Sequence, residues 1–383
     1  MQLTVVSHKL CWPSAAASTG YATSGGFPFQ MGAISELFDA TRLVVPCLPD
    51  PRPDGEVPIE GHNIQVVPLP PLHAAAGLRR RLALPGWMLR SLPVIWREIR
   101  RAEGVHTPIP SDVGTFGMLF AYLLGKPLFV RHCGNWFNRH TLPQRFWRWF
   151  MRSAAGGHNV MLATGGALEP PAPGVEWIFS TSLTGSQLQA VGHVRSLPQS
   201  PRLITVGRQE KAKGTHLIIA GLAALRQAFP GIRLDVVGDG TYLPELRRLA
   251  AEAGVSAEVH FHGRVGHATV LELLAGADLF VYPSESEGFP KAVLEALASG
   301  LPVITTHVSV LPLLIGDCAG VVLREPTAVR LSAAIRELLS DPDRYTAASR
   351  CALERAAGYT LESWRDTIGD HLVSAWGLHR QGN

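Results

Sequence analysis

The chain has 383 residues, of which 46% are hydrophobic and 17% charged, and its net charge is +4 at neutral pH. This composition is typical of a folded globular protein with room for two domains, and it excludes a disordered or fibrous chain. The longest apolar stretch, residues 113–125, is too short to cross a bilayer, so we expect no integral membrane protein. Residues 1–7 form a strand-like run that ends at His8 and Lys9, which does not fit a signal peptide.

Short apolar runs alternate with helical patterns along the first half. The predicted strands lie at residues 3–6, 43–45, 64–68, 128–131, 160–163 and 177–179, with a further short strand that ends at His106. The helical patterns lie at residues 31–38, 87–101, 116–124 and 146–151, and residues 13–26 and 70–85 are predicted to be irregular. Strands that alternate with helices indicate a parallel sheet covered on both faces.

The alternation pauses at residues 194–201, a candidate linker, and then restarts. The next strands are predicted at residues 203–206, 234–237, 259–262, 279–282 and 303–305, and the closing helices at 326–339, 344–357 and 361–376. Two such series predict an α/β protein with two doubly wound, Rossmann-like domains that face a cleft. We divide the chain into residues 1–197, residues 198–360 and a C-terminal helical segment, 361–383, that packs back on the first domain.

Five cysteines are scattered along the chain without metal spacing. We expect all of them to be reduced core residues of a cytosolic protein. They are Cys11, Cys47, Cys133, Cys318 and Cys351.

A loop and a helix in the second half carry a pair of carboxylates. Residues 284–306 run from a polar loop with Glu287, through a helix with Glu295, into a new strand. The two carboxylates are eight residues apart, about two helical turns. The free N–H groups of the helix start lie between them and favour an anion. Two hydroxyl-seeking carboxylates beside an anion site are typical of a nucleotide-sugar pocket.

Cations and glycines follow other strands of the second half. Arg208 and Lys213 come after its first strand, where they could clamp a diphosphate or be exposed cations of a solvated loop. Gly238 lies in a G-x-G turn that lacks the third glycine of the dinucleotide motif. The backbone at Arg264 and Val265, after the third strand, could meet a base edge or form only a turn.

Two histidines of the first half follow predicted strands. His106 and His132 lie at the carboxyl ends, where ligands meet an open α/β sheet. Each could contact a sugar hydroxyl or move a proton, or could be an ordinary half-buried histidine. His132 is favoured because Gly134 and Asn135 make its loop open and polar. No histidine has metal spacing, and the D-P-D at residues 341–343 is predicted to cap a helix, so we expect no metal.

The first half is basic and partly aromatic. Residues 1–199 contain 17 Lys and Arg against 11 Asp and Glu, with seven arginines at 79–101 and four at 139–152. Six aromatic residues accompany the second group: Trp136, Phe137, Phe146, Trp147, Trp149 and Phe150. Such a mixture suits an anionic lipid surface or nucleic acid, or it forms a helix with an apolar face in the core and arginines on the other face.

These motifs, in their order along the chain, resemble the retaining glycosyltransferases of family 4, members of glycosyl transferases group 1 with the GT-B fold. The resemblance is strongest over residues 202–306. The matching motifs there are V-G-R (206–208) with K-x-K-G (211–214), V-G-D-G (237–240), V-x-F-x-G-x-V (259–265) and E-G-F-P-K-A-V-L-E-A-L-A-S-G-L-P-V-I (287–304). In the first half, the matching motifs are Gly25-Gly26, V-H-T-P (105–108) and K-P-L-F-V-R-H-C-G (126–134).

The resemblance implies four catalytic residues. Arg208 and Lys213 would hold the donor diphosphate, where negative charge grows on the leaving phosphate. Glu287 would grip the donor sugar, and His132 would touch this sugar near the reacting carbon. We expect retention of configuration, with the acceptor attacking from the leaving-group face and the charge stabilised without a metal.

The other residues matched by the resemblance would bind the donor. Glu295 would hydrogen-bond the ribose, and Gly25 and Gly26 would let the first domain approach the phosphate. The remaining implied contacts, several of them through the backbone, are Gly238, Arg264, Val265, Gly288, Phe289, Lys291 and Leu294. Two departures from the family pattern bear on the choice of donor and acceptor: the long Ser/Thr/Ala segment before Gly25 and the stretch Gln209-Glu210-Lys211-Ala212.

We therefore predict a hexosyltransferase-type, retaining glycosyltransferase. It would use a nucleotide-diphosphate sugar as co-substrate, without a cofactor, and a glycan, lipid-linked or small-molecule acceptor in cell-surface polysaccharide or glycolipid synthesis. The alternatives are a non-catalytic nucleotide-sugar-binding relative and a GT-B-fold sugar epimerase; a dehydrogenase is least favoured. We expect a cytoplasmic protein in peripheral contact with an anionic membrane through its basic-aromatic half, and no nucleic-acid partner.

Overall fold

The computed structural model describes residues 1–52, 57–71, 77–137, 140–164 and 171–378, with the backbone alone at 77–82. The chain falls into two compact units. The first is made of Met1–Ser182 and Leu361–Asn383, and the second of Leu183–Thr360.

Most helices and strands of the first unit begin close to the predicted positions. Up to residue 182 they are β1 (Gln2–Val6), β2 (Trp12–Pro13), β3 (Tyr21–Thr23), α1 (Phe27–Ser35), β4 (Ala40–Pro46), β5 (Val57–Pro58), β6 (Ile64–Leu69), α2 (Gly77–Arg101), β7 (Gly104–Ile109), α3 (Asp112–Leu123), β8 (Leu128–His132), α4 (Leu142–Ala154), β9 (Asn159–Ala163) and β10 (Glu176–Trp177).

The second unit continues the alternation of strand and helix. Its elements are α5 (Gly185–Val191), β11 (Arg202–Val206), a 3-10 turn (Lys211–Lys213), α6 (Thr215–Ala228), β12 (Arg233–Val237), α7 (Leu243–Glu252), β13 (Val259–Gly263), α8 (His267–Ala275), β14 (Leu279–Tyr282), α9 (Lys291–Ala298), β15 (Val303–Thr306), α10 (Leu311–Ile315), β16 (Gly320–Leu323), α11 (Ala328–Leu339) and α12 (Pro342–Ala357). The last helix, α13 (Leu361–Trp376), belongs to the first unit.

A seven-stranded parallel sheet forms the centre of the first unit. Its order is β10-β9-β8-β7-β1-β4-β6, so the direction of winding reverses between β1 and β7. All five residues of β8 and all six of β7 are buried. Strands that are buried along their whole length are expected where helices cover both faces of a sheet.

The second unit contains a six-stranded parallel sheet. Its order is β13-β12-β11-β14-β15-β16, so its direction of winding reverses between β11 and β14. Both units are thus doubly wound α/β layers, which confirms the predicted fold class. The core between sheet and helices includes Leu234, Ile219 and Ile335, all at most 1% exposed.

The predicted loop at residues 13–26 contains ordered strands. Trp12 pairs with Ala22, and Thr23 pairs with Val57, so β2, β3 and β5 form a small antiparallel sheet. The Thr19 hydroxyl also donates to the Ile59 carbonyl at 2.8 Å. The loop prediction was wrong here because strands of two or three residues leave no periodic signal in a Ser/Thr/Ala-rich segment.

Helix α2 begins earlier than predicted. We expected an irregular connection up to Pro85, because proline removes a helical hydrogen bond. The structure keeps Pro85 and Pro93 inside a helix that starts at Gly77. Residues 72–76 of this connection, and the side chains of Arg79, Arg80 and Arg81, lie outside the described part of the chain.

The division between the units differs from the expected one after residue 197. The chain enters the second unit at Leu183, and α5 packs against α12. The Arg195 guanidinium, in the expected linker, donates to the carbonyls of Ala277 at 2.7 Å and Ser299 at 2.9 Å. Arg195 is therefore anchored to the second unit by buried backbone oxygens, which the linker-like composition of residues 194–201 did not indicate.

The C-terminal helix packs in the first unit. Helix α13 contacts α1 and β9, and the Arg131 guanidinium lies 4.9 Å from the centre of the Trp364 ring. One smaller prediction also has an outcome. The Asp341 carboxylate accepts from the Arg344 N–H at 3.0 Å, which confirms the helix cap at residues 341–343.

Two cysteines are paired. Cys318, before β16, is bonded to Cys351 in α12, with Cα atoms 5.8 Å apart. The expectation of five reduced cysteines was wrong for this pair, since the fold joins positions 33 residues apart that no spacing rule connects. Cys11 and Cys47 are buried thiols and Cys133 is an exposed one. Among the described residues, no helix is long and apolar enough to cross a membrane.

Candidate functional site

Two loops of the second unit meet where the winding of its sheet reverses. The loop after β11 ends at Gly214, and the loop after β14 begins at Pro283. A Cβ atom at Gly214 would overlap the Pro283 carbonyl oxygen, and Gly214 also has a positive φ of 73°, so glycine is required here. The Glu285 N–H donates to the Ala212 carbonyl at 2.8 Å. This close approach of the two backbones brings their side chains together.

The Glu287 carboxylate accepts hydrogen bonds from side chains of both loops. Its carboxylate is only 7% exposed and forms an ion pair with the Lys213 ammonium group. The same oxygen accepts from the Tyr282 hydroxyl at 2.8 Å and the Ser284 hydroxyl at 2.6 Å. Burial, with Glu287 nearby, raises the pKa of Tyr282 well above its usual value, so the phenol stays a donor. Lys213 and Glu287, both predicted site residues, therefore form one fixed group.

Glu295 lies within α9, the helix that follows the Glu287 loop. It is 7% exposed, and its Oε1 lies 3.0 Å from Nε2 of His267, the first residue of α8. This hydrogen bond raises the pKa of His267, against the effect of partial burial. Sequence reasoning missed His267. The two residues are 28 positions apart, and the only local signal is that His267 follows the motif at residues 259–265.

The predicted cations and base contacts lie at the same edge of the sheet. Arg208 is exposed just after β11, and Arg264 is exposed just after β13 beside half-buried Val265. Glu210 has its pKa lowered chiefly by hydrogen bonds from Thr241, and the Arg208 charge adds to this effect. Arg208 and Lys213 thus lie in the same loop, after β11.

Two predicted donor contacts have packing roles in this structure. Gly238 has φ 116°, and a Cβ atom there would overlap the Gly207 carbonyl oxygen. Its N–H donates to the Gly263 carbonyl at 2.8 Å. Leu294 is 1% exposed and lies in the core under α9. Gly238 and Leu294 therefore support the site through backbone and core packing, and neither provides a side-chain contact for a ligand.

The turn into α9 carries three further predicted contacts. Gly288 and Phe289 are half-buried and lead to Pro290, which is the N-cap residue, so the helix begins at Lys291. The Gly288 carbonyl accepts from the Ser309 hydroxyl at 3.1 Å. The Pro290 cap provides no side-chain hydrogen bond to the helix start. A helix start without a side-chain cap is suited to an anionic group.

The first unit holds the remaining predicted residues. His132 ends β8, is 4% exposed and lies edge-on to Trp136, with ring centres 5.4 Å apart. Burial lowers its pKa to about 4, so its imidazole is neutral near pH 7. Gly25 has a positive φ of 74°, and Gly26 is the N-cap of α1. The loop of His132 is less open than its composition suggested.

His106 is an internal residue. It is fully buried, stacks on Phe129 with ring centres 4.2 Å apart, and its Nδ1 lies 3.0 Å from the Phe129 carbonyl oxygen. Burial lowers its pKa to about 3. Of the two alternatives for this residue, the ordinary core histidine is the one that the structure supports.

Known proteins resemble this chain in sequence and in fold. Residues 194–355 match the family described as glycosyl transferases group 1. Glycogen synthase from Mycobacterium tuberculosis is 36% identical over 154 residues, which are 40% of this chain and 37% of that protein. The GDP-mannose-dependent alpha-(1-6)-phosphatidylinositol monomannoside mannosyltransferase of the same organism is 31% identical over 186 residues, 46% of this chain and 47% of that protein.

The fold is also that of a solved structure. HepE from Anabaena, in complex with UDP, superimposes with a TM-score of 0.71 at 16% identity, over 98% of this chain and 100% of the other. The fold and site thus define a GT-B-fold protein. Within it, residues 194–355 match the family described as glycosyl transferases group 1, so the family resemblance is confirmed over this region. The matching region spans less than half the length of the two curated relatives.

Proposed function

We propose that this chain is a retaining, metal-independent glycosyltransferase that uses a nucleotide-diphosphate sugar. The observation that carries the proposal is the buried Glu287 carboxylate, held by Lys213, Tyr282 and Ser284 at the reversal point of the second sheet. Ligands of open α/β sheets bind at such a point. A carboxylate fixed by three donors is preorganised to accept hydrogen bonds from sugar hydroxyls.

Lys213 and Arg208 are the proposed diphosphate ligands. In the reaction, the bond between the anomeric carbon and the diphosphate oxygen breaks, and a new bond forms to the acceptor oxygen. The leaving diphosphate keeps the electron pair and takes the acceptor proton. Positive charge at Lys213 and Arg208 would stabilise this leaving group, because charges placed in advance need little reorganisation.

Glu295 is proposed to bind the ribose. One of its oxygens is hydrogen-bonded to His267, which orients the carboxylate on α9 and leaves the second oxygen for a hydroxyl group. The family resemblance gives His132 a contact with the donor sugar. Its lowered pKa supports a neutral imidazole that donates or accepts a hydrogen bond near pH 7.

The proposed acceptor is a glycan or a lipid-linked molecule, and the proposed location is the cytoplasmic face of a membrane in peripheral contact with anionic lipid. The mannosyltransferase relative is named for a phosphatidylinositol mannoside, and glycogen synthase for a glycan. These names support both acceptor classes. The basic and aromatic residues of the first unit favour a lipid-linked acceptor.

A ligand screen followed by turnover tests the proposal. The melting temperature is measured with UDP-, GDP- and ADP-sugars, since a ligand that binds the folded state raises it by mass action. The stabilising donor is then followed by NMR for release of nucleoside diphosphate and for the anomeric configuration of the product. We expect one nucleotide series to stabilise and its sugar to be turned over with retention. Stabilisation without turnover would indicate a non-catalytic relative, and inversion would contradict the mechanism.

A further inference from the structure

Exposed apolar side chains concentrate in one part of the first unit. Nine large hydrophobic residues are exposed in the described part of the chain, and seven of them lie between residues 89 and 149. The seven are Leu89, Trp96, Tyr122, Leu123, Phe137, Leu142 and Trp149. Scattered exposed apolar residues need no explanation, but a concentration of this kind marks an interaction surface.

Six of these residues, all except Phe137, lie on three helices that pack side by side. Helices α2 and α3 are joined by Trp96 and Phe120, whose ring centres are 5.2 Å apart. Helices α3 and α4 are joined by Tyr122 and Phe150, with ring centres 5.3 Å apart. We call the outer surface of α2, α3 and α4, with Phe137, the three-helix face.

The three-helix face is also positively charged. Exposed arginines on α2 and α4 are Arg90, Arg97, Arg100, Arg101, Arg145 and Arg152. The one acid within α2, Glu98, is 1% exposed and hydrogen-bonded to Arg42 and Arg97, and α4 contains no acid. The surface therefore has a net positive field beside exposed indole and leucine side chains.

A cleft of about 670 Å³ opens on α4 within this face. Arg145 and Arg152 line it two helical turns apart, with Trp149 between them. Buried Arg148 donates to the Trp136 carbonyl at 2.6 Å, and its guanidinium lies 6.0 Å from the Trp136 ring centre, which fixes that wall of the cleft. Two arginines beside a rigid indole wall provide donors for a phosphate group and an apolar contact for what is attached to it.

The arrangement on α4 does not fit an ordinary core helix. In such a helix the aromatic residues would be buried and the arginines exposed. Here Phe150 is buried, but Trp149 is exposed, and Arg148 is buried. Exposed tryptophan and arginine on the same surface are favourable at the boundary between water and lipid headgroups.

We propose that the three-helix face binds an anionic phospholipid bilayer, and that the cleft on α4 holds a lipid headgroup phosphate. This inference rests on the membrane contact in the proposed function and assigns it to a surface. Charge complementarity selects the occupant, because both clefts on the face, this one and a smaller one at Trp96, Arg97, Arg100 and Arg101, are lined with arginine. An anionic headgroup supplies the opposite charge, and the acyl region accommodates Leu142 and Trp149.

Vesicle flotation tests the proposal without any sugar donor. The protein is mixed with vesicles of phosphatidylcholine alone or of equal parts phosphatidylcholine and phosphatidylglycerol. We expect binding to the anionic vesicles only, and a loss of about fivefold in affinity for each of R145E and R152E. The double variant L142S/W149S should lose the part of the binding that persists at high salt, since apolar contacts are not screened.

Matched controls lie in the second unit. Val329 is as exposed as Leu142, at 78%, and also lies at the start of a helix, while its neighbour Arg330 is an exposed arginine. V329S and R330E should bind vesicles as the wild type does. Equal losses in the controls, or equal binding to neutral and anionic vesicles, would overturn the proposal.

Two other occupants would give different results. If the face binds soluble polyanions, polyphosphate will bind with the same dependence on Arg145 and Arg152 while vesicles do not, which overturns the proposal. If it binds a second copy of the chain, L142S/W149S will convert a dimer to a monomer in sedimentation experiments, which also overturns it. Stabilisation by the sugar donor should be unchanged in all these variants, so the failure of this inference and of the proposed function are distinguishable.

Discussion

Lys213 and Glu287, 74 residues apart, form a largely buried ion pair that joins the two loops at the reversal point of the second sheet. Removing one member of such a pair leaves the other charge poorly solvated, which is more costly than losing a surface pair. The pair therefore has two roles in our account: it orders the loops before a donor binds, and it presents a fixed carboxylate and a cation to that donor.

Replacing Glu287 should affect both stability and activity. In E287A the Lys213 ammonium group and the Tyr282 hydroxyl lose their shared acceptor, so we expect the free energy of unfolding to fall by about 2–3 kcal/mol. Urea unfolding measures this loss. The exposed neighbour Glu285 is the matched control, and E285A should change the same quantity by less than about 0.5 kcal/mol. Equal effects of the two variants would mean that the ion pair does not order the loops.

The contact between His267 and Glu295 should depend on pH. The folded-state pKa of His267 is raised above the usual 6.5 by the Glu295 carboxylate. Its contribution to stability is therefore complete below pH 6.5 and is lost as the pH rises through the folded-state pKa. Melting temperatures of the wild type and H267Q, measured across this range, should converge as the pH rises. A difference that stays constant would contradict the role of the charged imidazole.

The contribution of His132 to stability should have the opposite pH dependence. Its folded-state pKa of about 4 lies below the usual 6.5, so the folded state resists protonation. The stability that comes from keeping it neutral is present above pH 6.5 and is lost as the pH falls toward 4, by about 3 kcal/mol in total. H132Q should therefore lose less stability than the wild type between about pH 7 and about pH 5. Denaturant unfolding measures both proteins. Equal losses of unfolding free energy in the wild type and H132Q would show that His132 is not buried in neutral form.

The disulfide between Cys318 and Cys351 should stabilise the second unit. It closes a loop of 33 residues, for which the chain-entropy model gives about 3–4 kcal/mol. We expect C318S/C351S to unfold at lower urea concentration than the untreated wild type. Reductant should lower the wild type to the level of the variant and leave the variant unchanged. If the urea unfolding curves of the wild type and C318S/C351S coincide without reductant, the disulfide contributes nothing to stability.

The fold could largely be predicted from the sequence because most strands of the two sheets are buried and rich in apolar residues. Residues 279–282 and 303–305, for example, alternate with helical patterns and are strands β14 and β15. The small sheet around Ala22 was not predictable, since pairs of two or three residues carry no periodicity. Arg195 was assigned to a linker for a related reason: its acceptors are backbone carbonyls that follow α8 and α9, far from it in sequence.

Part of the candidate site was predictable and part was not. Lys213 and Glu287 lie in motifs whose order suggested one site, and the structure brings them together. His267 escaped notice because a single histidine at a helix start has no partner visible in the sequence. The exposure of Trp149 could not be predicted either, because the amphipathic pattern of α4 does not indicate which aromatic side chain the neighbouring helix covers.

The most direct test of the central claim is transfer from the stabilising nucleotide sugar by the wild type, K213A and E295A. K211A, in the same 3-10 turn with an exposed side chain, is the matched control, and melting temperatures verify that each variant folds. We expect K213A and E295A to lose about 100-fold or more in transfer rate, because they lack groups that stabilise and position the donor, while K211A remains active. Full activity in K213A and E295A would contradict the account.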